Sequence, residues 1–339
     1  MTFITTPDNA TRRIIPPAGP RTAKIAIVGE AGGAYENIQL KPFVGPAGSV
    51  LEQCLHAAGL IRSECYITNV VKWQPKGNNI EPYFNGAKGT FTQLGMESVL
   101  QLREELDETE CNVLVACGAT AFAALTGLSK ILKYRGYFFP SIGLARPRKV
   151  LPTIHPAASL RGMYLYRHII SADLKKARMH SDSPELKRPE RTLVYQFGGV
   201  GEVLEWLEYY EKQERICLDI EVMNYEMSCI GFSSDPGIAL SIPLDDRWTE
   251  LEELQIWRGI QRVLSSPSIK VGQNLIFDLQ FLLQRYGFIV QGHIEDTMVA
   301  HSCMYPDMRK GLDFLGSMYC GTQQYWKDMI AFRNIKEDS

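Results

Sequence analysis

The sequence predicts an α/β protein of two domains. The first is a three-layer α/β/α fold around a parallel four-stranded sheet, and the second is a mixed α/β fold. Its 339 residues exceed the length of one typical domain. In the first half, short and nearly continuous apolar runs alternate with helical patterns, which is typical of a parallel sheet covered on both faces. In the second half, closely spaced strand patterns indicate antiparallel hairpins.

The first domain is expected over residues 24–178, after an N-terminal extension of residues 1–23. Its candidate strands are the apolar runs 24–30, 65–72, 112–118 and 149–156. Loops after the strands of such a sheet build the functional site.

A polar, charged and proline-containing stretch, residues 179–190, is expected to link this domain to a second one over residues 191–339. The predicted strands of the second domain are 192–197, 215–221, 227–234, 238–244 and 269–274. Helices are expected near 200–212 and 251–265.

The net charge of -2 provides no overall attraction to nucleic acid, so a polyanion would have to bind a local patch. One candidate patch lies between residues 146 and 178. It can be a phosphate-contacting surface or a solvated helix face beside a linker. Its basic residues, set against the single acid Asp173, are Arg146, Arg148, Lys149, Arg161, Arg167, Lys175, Lys176 and Arg178.

The eight cysteines form no C-x-x-C pair, and most lie in apolar runs, as buried thiols of a reducing compartment do. No apolar run approaches the ~20 residues that span a bilayer. The N-terminus lacks the pattern of a signal peptide. We therefore expect a soluble cytoplasmic protein with no membrane partner.

Unusual residues follow the predicted strands of the first domain. A glycine-rich run occupies 29–48 and contains Phe43, Asn69 ends the second strand, and His155 ends the fourth. Each also has a purely structural interpretation. The glycine-rich run can form a tight turn, Phe43 can fill the core, Asn69 can cap a turn, and His155 with the following proline can be structural. Because all of them lie at carboxyl ends of parallel strands, we expect them to converge in one crevice.

These motifs resemble those of the uracil-DNA glycosylase superfamily, specifically the branch called family 4. Residues 29–48 fit its first motif, G-E-x-P-G-x-x-E-D-x-x-G-x-P-F-V-G-x-A-G, without a gap. The resemblance continues in order through 66–82, 112–127 and 155–162, and it covers about residues 24–178.

The resemblance implies a pocket for a uracil that has left the base stack of uracil-containing or single-stranded DNA. Phe43 would stack on the base, and Asn69 would hydrogen-bond its amide edge. Gly29 and Ala31 would complete the base-binding wall.

The resemblance also implies the catalytic groups. His155 would donate a hydrogen bond to the uracil oxygen on which negative charge grows. Glu30, with the amides of residues 31–33, would position the attacking water or support the base. Arg161 and Lys72 are the predicted DNA contacts.

This chain departs from the family motif at several positions. Gly32 replaces the motif proline, Asn37 the aspartate and Leu40 a glycine, and Ala31 stands where the most active uracil glycosylases place a carboxylate. Family 4 enzymes generally hold an iron-sulfur cluster that uses an N-terminal C-x-x-C. Because no cysteine precedes Cys54, we expect no cluster here.

A second constellation lies in the second domain. Asp219 and Glu221 are two residues apart on a strand and so share one face, and Asp278 opens a later amphipathic helix. By itself, the D-x-E pair can belong to an edge strand whose acidic face contacts solvent. With Asp278 it can equally form a metal site, with Mg²⁺ or Mn²⁺ bound by all three acids to cleave a phosphodiester.

This region, about residues 191–328, resembles the 3′-5′ exonuclease domain of family A DNA polymerases, of the DEDD type with an RNase H-like fold. Residues 218–221 match its first motif, 272–278 its second, and 295–319 its following helices, in which Asp296 would be structural. The third motif, Tyr-x-x-x-Asp, is missing before residue 339, so the domain is expected to be C-terminally incomplete. We expect a polymerase body in the same or a separate chain.

Two functions follow. The first is an enzyme that excises uracil by N-glycosidic bond hydrolysis, linked to a possible metal-dependent 3′-5′ exonuclease. The alternative is a non-catalytic uracil- or template-sensing and DNA-binding module, the N-terminal part of a split or truncated family A polymerase. The intact Phe43, Asn69 and His155 favour the first, and the altered first loop and missing third motif favour the second.

Overall fold

The computed structural model describes residues 3–5 and 11–321. The described chain forms two compact units. One consists of the residues up to Arg188 together with those from Asp313 onward, and the other is Pro189–Leu312.

The strands of the first unit are β1 (Phe3–Thr5), β2 (Thr11–Arg13), β3 (Ile25–Ala31), β4 (Tyr66–Val71), β5 (Phe84–Asn85), β6 (Thr90–Phe91), β7 (Val113–Cys117), β8 (Phe139–Pro140) and β9 (Lys149–Thr153). Its helices are α1 (Ala34–Gln39), α2 (Pro46–Ala57), α3 (Gln93–Asp107), α4 (Ala119–Thr126), α5 (Ile131–Tyr134) and α6 (Tyr166–Met179). Short 3-10 helices occupy Arg62–Glu64, Lys76–Asn78 and Pro156–Leu160.

The main sheet has the strand order β4-β3-β7-β9-β8. The first four strands are parallel, which confirms the predicted four-stranded sheet. β8 adds a short antiparallel edge that the apolar pattern did not predict. β3 and β4 pair so that Gly29 faces Asn69 across the ladder, which brings the two predicted pocket residues side by side.

Both faces of this sheet are covered. On β3, Ala26 and Val28 pack in a core cluster with helix residues such as Leu102 of α3 and Phe122 of α4. Ile27 points the opposite way, because side chains alternate along a strand, yet it is 0% exposed. Since α6 contacts β9 and α2 contacts α6, these two helices supply the other layer. The predicted three-layer class is confirmed.

The strands of the second unit are β10 (Thr192–Val194), β11 (Arg215–Met223), β12 (Glu226–Asp235), β13 (Ile238–Pro243), β14 (Ile269–Gly272) and β15 (Ile294–Asp296). Its helices are α7 (Val200–Glu211), α8 (Glu250–Ser265), α9 (Leu275–Tyr286) and α10 (Thr297–Met304).

The sheet of the second unit is mixed, with the order β10-β13-β12-β11-β14-β15. β11, β12 and β13 form the predicted antiparallel hairpins, and β14 and β15 follow in parallel. This arrangement is the one expected of an RNase H-like domain. A bulge between Glu221 and Val222 interrupts the β11 ladder directly after the second predicted acid.

The last described helix, α11 (Leu312–Tyr319), follows the second unit in sequence, yet its residues from Asp313 belong to the first unit. No helix of the described part of the chain has both the length and the apolar character needed to cross a bilayer.

Candidate functional site

A cleft of about 320 Å³ opens at the carboxyl ends of the first sheet. Five residues predicted from the sequence line it: Ala31, Gly33, Phe43, Asn69 and His155. Other lining residues, Glu36, Tyr35 and Asn78 among them, were not predicted.

Phe43 and His155 form one wall of this cleft. Their rings are stacked, with centroids 5.8 Å apart and planes inclined by 26°. Phe43 and Asn69 are only 6% and 5% exposed. A Cβ atom at Gly29 would lie 2.3 Å from Asn69 Oδ1 and 2.6 Å from the Phe43 ring, so only glycine lets the two side chains approach each other. Gly29 therefore shapes the pocket through its lack of a side chain.

Glu36 holds the first loop together. Its carboxylate accepts hydrogen bonds from the amides of Gly33 at 3.0 Å, Val44 at 3.0 Å and Gly45 at 2.9 Å. The side chain is 9% exposed, so these bonds lie away from water. The motif contains this glutamate, but its role could be seen only once the loop was folded.

Phe43 itself has a left-handed backbone, with φ of 52°. Such a conformation is costly for an aromatic residue and persists only where the surroundings impose it. Glu36 binds the next two amides, and Arg62 donates a hydrogen bond to the carbonyl of Pro42 at 2.7 Å. The strained Phe43 is thus fixed from both sides.

Leu40 also has a left-handed backbone, with φ of 52° and ψ of 41°, and it caps the C-terminus of α1. The family motif has glycine at this position, which adopts this conformation without a steric penalty. The departure at Leu40 is therefore accommodated as local strain.

His155 is poised as a neutral hydrogen-bond donor. Its Nδ1 accepts a hydrogen bond from the amide of Ala157 at 3.2 Å, which leaves the proton on Nε2. Burial first, and the positive charge of Arg161 second, lower the pKa of His155 to about 4, against the opposing effect of Glu36. The imidazole is uncharged at neutral pH and offers Nε2-H.

Glu30 makes a short hydrogen bond with the hydroxyl of Thr120 on α4 and is not among the residues that line the cleft. The role predicted for its carboxylate stays a prediction. Arg161 is exposed at the end of the 3-10 helix that begins at Pro156, where it is available to a phosphate.

The prediction that Lys72 contacts DNA is wrong for this structure. Lys72 is 7% exposed, and its ammonium group donates to Thr68 at 2.6 Å and pairs with Glu105 at 2.8 Å. Burial lowers its pKa, against the opposing effect of Glu105. A lysine that follows an apolar strand resembles a surface residue until its distant partner is known.

The basic stretch 146–178 does not form one continuous phosphate-contacting surface. Arg148, Lys149 and Lys176 are buried, with 2%, 4% and 7% of their surface exposed. Arg148 donates to the hydroxyl and carbonyl oxygens of Thr109 at 2.9 and 3.0 Å. Arg146, Arg161, Lys175 and Arg178 are exposed.

Asn78 reaches the cleft from a loop between two buried aromatic residues. Trp73 and Tyr83 are each 2% exposed, and the indole N-H of Trp73 donates to the Tyr83 hydroxyl at 2.9 Å. Arg12 donates to the same hydroxyl at 2.9 Å. The Tyr83 hydroxyl thus ties the base of this loop to β2.

In the second unit, Asp219 and Glu221 lie on the exposed face of β11, as their spacing predicts. Asp278 of α9 is 4% exposed and accepts a hydrogen bond from the amide of Ile220 at 3.1 Å. Partial burial raises the pKa of Asp219 to about 6, and the charges of Asp278 and Glu221 contribute. The three predicted acids are therefore close enough to repel one another.

Carboxylate oxygens are the ligands that Mg²⁺ and Mn²⁺ prefer, and a cation would relieve this repulsion. Within residues 3–5 and 11–321, however, no three His, Cys, Asp or Glu side chains are arranged to hold one ion. One oxygen of Asp278 is already bound to the Ile220 amide. The acids thus have the ligand chemistry for a divalent cation but not the arrangement.

Asp296 is structural, as expected. It caps α10 by accepting from the amides of Met298 and Val299, and it also accepts from those of Asn274 and Leu275. It therefore joins the start of α9 to the start of α10.

The comparisons with known proteins divide along the same two parts of the chain. Residues 16–175 match the family described as the uracil DNA glycosylase superfamily. Residues 201–334 match the family described as 3′-5′ exonuclease.

The type-4 uracil-DNA glycosylase of Thermotoga maritima is 34% identical over 164 residues, which are 47% of this chain and 79% of that protein. A DNA polymerase of Bacillus phage SP01 is 24% identical over 324 residues, 85% of this chain but only 33% of that protein. Escherichia coli RNase D is 16% identical with a TM-score of 0.30, over 40% of this chain and 35% of that one.

Proposed function

The chain belongs to the uracil-DNA glycosylase superfamily, and from this premise we propose that its first unit excises uracil from DNA. The observation that carries the proposal is the cleft in which Phe43, Asn69 and a neutral His155 meet. The match of residues 16–175 to the uracil DNA glycosylase superfamily also supports the proposal.

The chemistry is hydrolysis of one bond. A flipped uracil enters the cleft, where Phe43 contacts its face and Asn69 its amide edge. As the bond between C1′ and the base nitrogen breaks, the electron pair moves into the uracil, and negative charge grows on its oxygen. Water adds its oxygen to C1′ and releases a proton, and the uracil anion takes up one proton, so that the products are free uracil and an abasic site.

His155 stabilises the leaving group. A neutral imidazole donates the hydrogen bond from Nε2 to the anionic uracil oxygen without having to transfer its proton. The hydrogen bond from the Ala157 amide to Nδ1 fixes the orientation of the imidazole, so that Nε2-H need not reorient while the bond breaks. Position 31 has no carboxylate, and Glu30, the residue expected to orient the water, accepts a hydrogen bond from Thr120 and does not line the cleft.

For the second unit we propose 3′-5′ exonuclease-like binding of a DNA end. The family match and the shared face of Asp219 and Glu221 support this. Mg²⁺-dependent shortening of a labelled 3′ end that survives Asp219→Ala would contradict the assignment of these acids. The polymerase body stays a proposal supported by the partial similarity to the phage polymerase.

The glycosylase proposal is tested on a labelled single-stranded oligonucleotide with one uracil, followed by alkaline cleavage. Strand scission at the uracil, and none in a matched oligonucleotide with thymine, is the expected result. An uncut uracil strand would favour the alternative function, a non-catalytic uracil-sensing module.

A further inference from the structure

A helix from far along the chain packs against the glycosylase-like unit. Phe314 and Leu315 of α11 are 6% and 5% exposed. Tyr137 donates its hydroxyl hydrogen to the carbonyl of Asp313 at 2.7 Å. The sequence motifs assign this helix to the exonuclease-like region, whereas its contacts are with the first unit.

The helix completes the surroundings of two buried cations. Lys176, 7% exposed, donates to the carbonyls of Gly136 at 2.9 Å and Ser317 at 2.5 Å. Arg135, 3% exposed, donates to the Ser317 hydroxyl at 2.6 Å, and its guanidinium lies 5.0 Å from the centre of the Phe314 ring. Without α11, both cations would lose hydrogen-bond acceptors, which is costly for buried charges.

Both cations attract a buried acid, Asp173, which contacts the end of β9. Asp173 is 0% exposed, and its Oδ1 lies 3.6 Å from the Arg135 guanidinium. Its Oδ2 accepts a hydrogen bond from the hydroxyl of Thr153 at 2.7 Å. Thr153 ends β9, two residues before His155. A continuous set of contacts therefore runs from α11 to the segment that carries His155.

We propose that α11 is a positioning element of the uracil pocket and that Asp173 is the positioning residue through which it acts. Docking of α11 fixes Arg135 and Lys176, these fix Asp173, and Asp173 holds the end of β9 and hence the start of the His155 loop. The catalytic consequence rests on the proposed glycosylase function, whereas the docking and its effect on β9 do not.

The docking is tested by amide hydrogen exchange of the full chain. Phe314→Ala removes the ring beneath Arg135, and Leu312→Ala is the control, because Leu312 lies on the same helix but is 52% exposed. In the wild type we expect slow exchange in α11. In Phe314→Ala we expect exchange at least tenfold faster in both α11 and residues 149–153, and in Leu312→Ala no change in either.

Faster exchange in α11 alone, with residues 149–153 unchanged, would overturn the proposal, and so would an unprotected α11 in the wild type. If Phe314→Ala does not fold, Ser317→Ala serves instead, since it removes only the hydroxyl that Arg135 binds.

The role of Asp173 is tested by rescue. Asp173→Asn keeps an oxygen that can accept from Thr153, whereas Asp173→Leu does not. We expect kcat for uracil excision to fall at least tenfold more in the Leu variant than in the Asn variant, with similar KM. Equal kcat values would overturn the positioning role. If the wild type excises no uracil, the glycosylase proposal fails, and the exchange experiment still decides whether α11 controls β9.

Discussion

At the scale of single residues, the proposed excision of uracil depends on the protonation state of His155. A charged imidazolium would hold a growing anion more strongly, but it would have to be formed in a site that disfavours charge. The fixed neutral tautomer donates the same hydrogen bond without that cost.

The pH dependence follows from the lowered pKa of His155. The pKa of histidine in an unfolded chain is ~6.5, whereas the pKa of His155 in the folded protein is lowered to about 4. The linked stability is therefore fully present above pH ~6.5 and declines as pH falls between these values. We expect the His155 ring resonances in an NMR titration to keep their neutral positions down to pH ~5. A midpoint near that of free histidine would contradict the buried neutral state.

Leu40 tests the strain in the first loop. Leu40→Gly should raise the free energy of unfolding by about 1 kcal/mol, because glycine adopts the left-handed backbone without the steric penalty of leucine. Urea unfolding measures the change. The control is Ile38→Gly, an exposed residue inside α1, where glycine should destabilise. A destabilising Leu40→Gly would show that the side chain matters more than the strain.

At the scale of elements, the long strands were predictable, and most of the short ones were not. β3, β4, β7 and β9 are continuous apolar runs, whereas β8 has two residues, too few to show a period. The sequence also predicted that Phe43, Asn69 and His155 converge in one crevice, which they line. It was wrong to place Asn69 at the end of its strand, because β4 continues to Val71. It could not reveal that Glu36 ties the loop, because that role depends on three amides brought together by folding.

Substitutions of Lys72 and Arg161 distinguish a structural cation from a DNA-binding one. Lys72→Ala leaves Glu105 with an unpaired, mostly buried charge and should lower the free energy of unfolding by about 3 kcal/mol, with unchanged salt dependence of DNA binding. Arg161→Ala should leave stability unchanged and reduce the slope of log binding constant against log salt by about 0.7 to 0.9. Fluorescence anisotropy over a salt series measures the slopes. A reduced salt slope in Lys72→Ala, with unchanged stability, would show that Lys72 contacts DNA after all.

Asp219 on β11 is expected to make stability fall as pH rises, whereas His155 makes stability rise with pH. Because the folded pKa of Asp219 is raised to about 6, ionisation of this group opposes folding, and stability falls as pH rises from about 4 to 6. Asp219→Asn should therefore raise the melting temperature of the metal-free protein at pH 8 and change it little at pH 4. Equal shifts at both pH values would mean that charge repulsion is not the cause.

At the scale of the whole molecule, two units that match different families share one chain, and a helix that follows the second unit in sequence belongs to the first. The sequence predicted both fold classes, because each motif lies on a strand or loop of recognisable pattern. It could not predict the docking of α11, since Arg135, Asp173 and Lys176 look like ordinary surface charges until their partners are known. The cytoplasmic location and the polymerase partner stay predictions.

The central claim is that His155 drives uracil excision in the first unit, and single-turnover kinetics on a uracil-containing single strand test it most directly. We expect His155→Ala to excise uracil at least ~100-fold more slowly than the wild type, as loss of one leaving-group donor does. The control His56→Ala, at an exposed position of α2, should be unchanged. Equal rates for His155→Ala and the wild type, or no excision by the wild type, would contradict the claim.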